Sequence, residues 1–212
     1  GWSHPSQRPR IAIRVDATII GSASEGDDDA RWVKHKGKRA MHGFKAHVGA
    51  DADTALVEEV SITSANINDG KAGPGALPDN PGEVFADSAY HGNHFRDALR
   101  AKGGIPRIVA TSVWARTEEE AQAWLHQWNQ PIHRVRPRIE KIFGTWKRCY
   151  GLRLMRWRGL AKAAATLPDT LIERWKAENG KIDRFSAPYA HPRAGLDKGL
   201  LAKEHICDVA IF

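Results

Sequence analysis

The chain has little cysteine, no long apolar run and no signal-peptide pattern at its start. Among its 212 residues only Cys149 and Cys207 carry thiols, too few for a disulfide framework and without the spacing of a metal-binding motif. No stretch approaches the roughly 18 apolar residues of a membrane span. These absences favour a soluble globular protein of a reducing cytoplasm, long enough for one sizeable core and an appendage.

Acidic residues are also nearly absent from one segment of the chain. Residues 131–162 contain ten lysines and arginines but a single acid, Glu140. The segment therefore carries a net charge of +9. The whole chain carries +7, so the other 180 residues sum to −2. Such one-sided charge is typical of proteins with a polyphosphate partner, although a solvated basic face is the alternative. A carboxylate in these surroundings would be paired and ionised, as a metal ligand must be.

Hydrophobic periodicity predicts an alternating α/β chain. A polar insert covers residues 21–40, residues 66–81 form a loop with a short helix, and a helix covers residues 93–102. The predicted strands are 10–20, 42–50, 54–63, 83–87 and 106–111, of which 42–50 and 54–63 form a hairpin. This order is compatible with a ribonuclease-H-like mixed sheet flanked by helices.

A second helix is predicted to begin near residue 117. Thr117 and Glu120 form a capping box, and apolar residues then recur at helical spacing: Ala121, Trp124, Leu125 and Trp128. We expect the two tryptophans to belong to the core rather than to a ligand platform.

Three separated acids are the candidate catalytic residues. Asp16 ends the first predicted strand, Asp87 ends a later one, and Glu140 lies in the basic, helix-like segment. Acids at strand ends and on a helix can converge on two Mg²⁺ ions, which clamp the attacking and leaving oxygens of a phosphodiester from about 3.5–4 Å apart.

A helix through Glu140 would have two distinct faces. One holds His133, Arg136, Glu140 and Lys147 within about 60° of one another. The other is an apolar stripe, displaced by about 100°, of Ile132, Val135, Ile139, Phe143 and Trp146. Pro137 leaves two interpretations open: either one helix runs through it with a kink, or the helix begins at Pro137 and the alignment of His133 and Arg136 is lost.

Seven ordered motifs resemble bacterial insertion-sequence transposases of the DDE type, in the group with the signature Tyr-x2-Arg-x3-Glu-x6-Lys. Each motif is weak alone, but their order along most of the catalytic domain is specific. They are Val15 to Ile19, Lys36 to Lys38, His42 to Gly49, Ala65 to Asp69, Val84 to Gly92, Arg136-x3-Glu140-x6-Lys147, and Tyr150 to Lys162.

The resemblance implies Mg²⁺-dependent DNA strand cleavage and strand transfer. It assigns Asp16, Asp87 and Glu140 as the catalytic and metal-binding triad for two Mg²⁺ ions, for which Mn²⁺ can substitute. It assigns Arg136 and Lys147 to DNA phosphates, with further DNA-binding candidates at Arg134, Arg138, Lys141 and Arg148. The expected partners are DNA at the transposon ends and at the target, with a homo-oligomer left open and no membrane. The expected location is the bacterial cytoplasm, at the nucleoid.

The chain departs from the family pattern in three places. His133 stands where the signature has tyrosine, so its contact is only a candidate. The region before residue 10 is too short for the family's N-terminal domain, and the apolar closing helix after residue 165 is replaced by an amphipathic helix over 167–180 and a tail. We therefore expect a copy truncated at both ends, with a disordered lead-in (1–9), a catalytic domain (10–164) and a divergent helical and irregular tail (165–212).

Several alternatives stay open. The chain could be an inactive remnant that only binds nucleic acid through residues 131–162, or a stand-alone nuclease. Tyr90 could stack or hydrogen-bond near the acids, or serve packing alone. The histidines at 42, 47, 91 and 94 lack metal-site spacing, and the aspartates at 51, 53 and 69 are assigned to turns.

Overall fold

A computed structural model describes residues 12–34, 37 and 39–179. The predicted lead-in over residues 1–9 and the tail from residue 180 to residue 212 lie outside the described residues. The domain boundary expected at residue 164 stays a prediction.

Six strands form one mixed sheet within the described residues. Their bounds are β1 Ala12–Gly21, β2 Arg31–Val33, β3 Met41–Asp51, β4 Val57–Ser64, β5 Glu83–Ala86 and β6 Ile105–Ile108. The order across the sheet is β3-β1-β5-β6, with β2 and β4 both pairing with the outer edge of β3. Strand β1 is antiparallel to β3 and parallel to β5. This is the predicted ribonuclease-H-like sheet.

In the part of the chain that the structure describes, four α-helices flank the sheet: α1 Asp69–Ala72, α2 Asn93–Ala101, α3 Glu118–Arg148 and α4 Leu160–Asn179. Short 3-10 turns cover Gly73–Ala76 and Ser88–Tyr90. The loop with a short helix predicted over 66–81 is confirmed, and the helix predicted from residue 167 begins earlier, at Leu160. In the described part of the chain no helix combines the length and the apolar character needed to cross a membrane.

The sheet buries both of its faces because side chains alternate along each strand. On one face, Phe44 and Val48 of β3 join a core with Trp146 of α3 and Trp175 of α4. On the other face, alternate residues of β1 and β5 pack against α2 in a second core, which contains Ile13, Val15, Val84, Phe95 and Leu99. Helices α3 and α4 therefore cover one side of the sheet, and α2 covers the other.

Helix α3 runs without interruption through Pro131 and Pro137. The interpretation in which the helix begins at Pro137 is wrong. Each proline removes one backbone hydrogen bond, but burial of the predicted apolar stripe outweighs the loss: Ile132, Ile139 and Trp146 are each only 1% exposed. The predicted cap at the helix start is confirmed, since the Thr117 hydroxyl oxygen accepts the Glu120 backbone N–H at 3.2 Å.

The core position expected for the tryptophans of the first half of α3 is wrong for Trp124. Its side chain is 42% exposed, and Trp128 is half-buried. The physical reason is the edge of the sheet: β6 is the last strand, so no further strand covers this part of the helix.

One strand was missed and one aspartate was misassigned. Strand β2, which pairs with Met41–Gly43 of β3, lies in the predicted polar insert and is too short to show an alternating pattern. Asp69 belongs to no simple turn, because its carboxylate accepts a 2.7 Å bond from the ammonium of Lys45, a residue only 6% exposed. Asp51 does close the β3–β4 turn, by accepting the backbone N–H groups of Asp53 and Thr54.

His47 is a buried titratable group on β3. It is fully buried, and its Nε2 lies 2.9 Å from the hydroxyl oxygen of Thr63. Burial, opposed by Asp69 and reinforced by Lys45, lowers the pKa of His47 from 6.5 to about 4. The folded protein therefore favours the neutral imidazole, whereas the unfolded chain binds a proton below pH 6.5.

We expect the free energy of unfolding to fall as the pH drops from about 7 toward 4, because the unfolded state then binds the additional proton. For His47 alone the loss is about 2–3 kcal/mol by pH 4.5. Urea denaturation of the wild type and of His47→Gln at a series of pH values measures it. A glutamine variant that loses as much stability as the wild type over this pH range would contradict the assignment.

Candidate active site

Two of the three predicted acids lie on neighbouring parallel strands and on the same face of the sheet. Asp16 lies on β1, two residues after Arg14, which pairs in register with Phe85 of β5. Asp87 follows β5 directly, two residues after Phe85. Because alternate residues share a face, Asp16 and Asp87 are directed to the side of the sheet that α3 covers.

Asp16 is the more enclosed of the two aspartates. Its side chain is 18% exposed, and its Oδ1 accepts the backbone N–H of Ala17 at 2.8 Å. Burial raises the pKa of Asp16, although the charge of Arg14 and the Ala17 hydrogen bond oppose the shift and Asp87 adds to it. The carboxylate is thus held in surroundings in which a further positive charge would favour its ionised form.

Arg14 is the nearest cation to Asp16. Its side chain is 2% exposed, and its Nη2 lies 3.8 Å from Oδ2 of Asp16. Its Nε and Nη1 have no hydrogen-bond partner in the described residues, and burial lowers its pKa. Arg14 was not among the predicted site residues, although its spacing of two residues from Asp16 on a strand was a signal that could have identified it.

Asp87 has a local structural role as well. It is the N-cap of the 3-10 turn Ser88–Tyr90, with its Oδ1 accepting the backbone N–H of Ala89 at 2.9 Å. This bond fixes the carboxylate at the end of β5.

Glu140 forms an exposed ion pair on α3. Nε of Arg136 donates to Oε1 of Glu140 at 2.8 Å, and the two side chains are 51% and 56% exposed. The hydrogen bond to Glu140, opposed by partial burial and reinforced by the charges of Glu140, Asp16 and Asp87, raises the pKa of Arg136. The negative charges of both aspartates therefore act on Arg136, although its hydrogen bond is to Glu140.

The chemistry of this donor set fits magnesium, a hard cation that takes carboxylate oxygens. In each acid one oxygen accepts a hydrogen bond, from Ala17, Ala89 or Arg136. The second oxygens accept none from the described residues. Within residues 12–34, 37 and 39–179, however, no group of three or more histidines, cysteines and acids is close enough to hold a metal ion. Glu140 is paired with Arg136 instead.

The other predicted site residues on α3 differ in their exposure and contacts. Arg134, Lys141, Arg148 and His133 are exposed along α3, and Lys147 is half-buried on the same helix. Arg138 is directed to the β3–β4 turn, where its Nη1 contacts the carbonyl oxygen of Ala52 and lies 3.3 Å from Oδ1 of Asp53.

Tyr90 is fully buried in the core beneath the other face of the sheet. Its ring centroid lies 5.0 Å from that of Phe95. Burial and the charges of Asp16, Asp69 and Asp87 hold its pKa well above 10. This position matches the interpretation in which Tyr90 serves packing.

The described residues thus form a mixed sheet with one acid within β1, one after the neighbouring strand β5, and a third on a covering helix. The chain belongs to the family described as "Transposase DDE domain", whose model matches residues 7–167.

Among solved structures, the chain is similar to a piggyBac transposase in a cryo-EM structure of its synaptic complex with hairpin DNA. The identity is 13% and the TM-score 0.32, over 53% of this chain and 25% of the other. The chain thus spans about a quarter of that transposase.

The exposed Arg136–Glu140 pair should contribute little to folding. We expect Glu140→Gln to change the free energy of unfolding by less than about 0.5 kcal/mol, as for other exposed ion pairs. Asn129→Ala is the contrasting variant on the same helix. Its side chain exchanges two 2.9 Å hydrogen bonds with the backbone of Ala110, and their loss should cost about 1–3 kcal/mol.

Urea denaturation of both variants measures the difference. An unfolding midpoint for Glu140→Gln that drops as far as that of Asn129→Ala would mean that Glu140 is a structural residue.

Proposed function

We propose that this chain is the catalytic part of a transposase that cuts DNA strands at the ends of an insertion sequence and joins them to a target. The observation that carries the proposal is the placement of Asp16, Asp87 and Arg136-bound Glu140 on one side of the sheet in a member of this family. The family match supports the class of protein, and the position of the acids supports the reaction.

The three acids would hold two Mg²⁺ ions, or Mn²⁺ in their place. When bound, such ions lower the pKa of a water molecule and stabilise charge on the reacting phosphate oxygens. Asp16, Asp87 and Glu140 would hold the ions through their carboxylate oxygens.

The protein's own part is to position these acids and to bind phosphate. Oε1 of Glu140 accepts the hydrogen bond of Arg136, and its other oxygen would be available to a cation. A guanidinium that leaves this exposed pair would present the planar fork that suits a phosphate group. Arg14 would stay beneath the site as a fixed internal counter-charge for Asp16, because it is almost fully buried.

DNA binding would follow the basic side of α3. The exposed cations Arg134, Lys141 and Arg148 lie on the helix that carries Glu140, and segment 131–162 has a net charge of +9. Phosphates along such a surface release counterions. The proposed partners are therefore the transposon ends and the target DNA, with action at the bacterial nucleoid in the cytoplasm.

A second candidate is an inactive remnant that binds DNA without cutting it. One observation favours it: Glu140 is engaged by Arg136, and within the described residues the acids do not form a metal-binding group. The two candidates share the basic surface and differ only in strand cleavage.

The first test is nicking of supercoiled DNA in Mg²⁺ or Mn²⁺ by the wild type and by Asp87→Asn. We expect the variant to lose nicking by at least a hundredfold, because the amide keeps the cap to Ala89 but removes the charge needed for a metal ion. Gel analysis of the open-circular product measures the rate.

The matched control is Asp97→Asn, which makes the same change at a 71% exposed position on α2, across the sheet from the site. Equal nicking by Asp87→Asn and the wild type would refute the triad. DNA binding without nicking by the wild type would support the remnant.

The basic surface gives a separate prediction. Arg134→Ala should weaken binding to DNA of any sequence and lower the slope of log Kd against log salt by about one, since one phosphate contact is lost. Fluorescence anisotropy over a salt series measures the slope. Arg100→Ala, at a 65% exposed position on α2, is the control and should leave the slope unchanged; an equal fall in both variants would contradict a DNA surface on α3.

A further inference from the structure

A groove lies beside the candidate active site, between the β5–β6 edge of the sheet and the first half of α3. Its volume is about 400 Å³, within the range of small-molecule sites. Its walls combine two tryptophans with one ion pair: Trp124 and Trp128 from α3, and Arg107 and Glu83 from the strands.

The aromatic wall is a stacked pair that the fold leaves open. The ring centroids of Trp124 and Trp128 lie 5.3 Å apart and their planes differ by 8°. The guanidinium carbon of Arg107 lies 5.2 Å from the Trp128 ring centroid. Because Trp124 is 42% exposed, a large aromatic surface with a cation beside it faces the solvent.

The wall is held rigidly. Nε1 of Trp128 donates to the carbonyl oxygen of Ile108 at 2.9 Å. One residue further on, the side chain of Asn129 exchanges two hydrogen bonds with the backbone of Ala110. Trp124 stacks on this fixed ring, which limits its side-chain freedom and so lowers the entropy lost when a ligand stacks on it.

Polar groups lie at the same groove. Arg107 donates from Nε and Nη2 to the same oxygen of Glu83, Oε1, at 2.9 and 2.7 Å. The other oxygen, Oε2, accepts no hydrogen bond from the described residues. Gln127 adds an exposed amide to the lining. A planar ligand that stacks here would find both an acceptor and an amide for its polar edge.

Two residues of the groove stand close in sequence to residues of the acid site, on the same strand and the same helix. Phe85 lines the groove and stands two residues before Asp87, and Ile132 lines it one helical turn before Arg136. The basic segment begins at its end, since Pro131 also lies in the lining. A DNA strand held at the acids could therefore extend along β5 and α3 to this groove.

We propose that this groove binds an unpaired nucleobase of the DNA strand held at the acids, with the base stacked on Trp124. The inference rests on the proposed DNA-cleaving function and adds a second contact to it. Planar, polar-edged bases are the chemistry that exposed aromatic faces and arginine recognise in single-stranded nucleic acid. The net charge of +9 on the adjoining segment supports a nucleic acid over an apolar peptide as the occupant.

The test compares a blunt DNA duplex with the same duplex extended by a short single-stranded end, whose first unpaired base is 2-aminopurine. Binding is measured without divalent metal by anisotropy, and stacking by quenching of the 2-aminopurine fluorescence. We expect the wild type to quench the probe and to prefer the extended duplex. Trp124→Ala should lose the quenching and bind the extended duplex about tenfold more weakly, with blunt-duplex binding unchanged.

Two variants complete the design. Trp124→Phe should keep most of the quenching because it retains an aromatic face. Trp114→Ala removes the same side chain at a position that is 90% exposed and outside the groove, and it should behave as the wild type.

Trp124→Ala that quenches and binds like the wild type would overturn the inference while leaving the proposed function intact. Failure of the wild type to bind either duplex would overturn both. Analytical ultracentrifugation tests whether Trp124→Ala loses self-association. Such a loss with unchanged DNA binding would assign the groove to a second copy of the chain and would overturn the proposal of a nucleobase site.

Discussion

The pairing of β1 with both of its neighbours is the constraint on which the rest of the structure depends. Strand β1 is antiparallel to β3 along nearly its whole length and parallel to β5 at its start. A shift of one residue would turn Arg14 and Asp16 into the α2 core and move Ile13 and Val15 out of it. The register that buries these two apolar residues is therefore also the one that directs Asp16 toward α3. Stability and the position of the site share one cause.

Two guanidinium groups offset part of the negative charge of the three acids. Arg14 is almost fully buried beside Asp16, whereas Arg136 is exposed and paired with Glu140. An exposed ion pair contributes little because water competes for both partners. Of the two cations, Arg136 is therefore the one that can leave its partner more easily.

The parts of this molecule that were predictable from sequence are those with a periodic signal. Alternation identified β1, β3 and β4, and the spacing of Ile132, Ile139 and Trp146 identified the buried side of α3. Pro131 and Pro137 each remove a helical hydrogen bond, so the local sequence favoured a break. The helix continues because its apolar side is buried against the sheet, and a local sequence pattern does not show such tertiary contacts. Strand β2 has three residues, too few for any period.

The candidate site was only partly predictable for similar reasons. Asp87 follows the end of β5, but the prediction that Asp16 ends its strand is wrong, because pairing with β3 continues β1 from Asp16 to Gly21. The pairing of Arg136 with Glu140 follows from a spacing of four residues on a helix. Trp124 is exposed because the sheet ends at β6. The hydrophobic periodicity of a helix does not predict which strand lies at the edge of the sheet.

The two prolines of α3 have a mechanical consequence. They lack the amides that would bond to the carbonyl oxygens of Gln127 and His133, so the middle of the helix has fewer internal hydrogen bonds than either end. On one side of this stretch Asn129 fastens the helix to the end of β6, and on the other Trp146 anchors it in the core. Bending is therefore easiest between the two anchors, in the very turns that separate the tryptophan wall from Glu140. We therefore expect a bend in these turns to change the orientation of Glu140 relative to the first half of the helix.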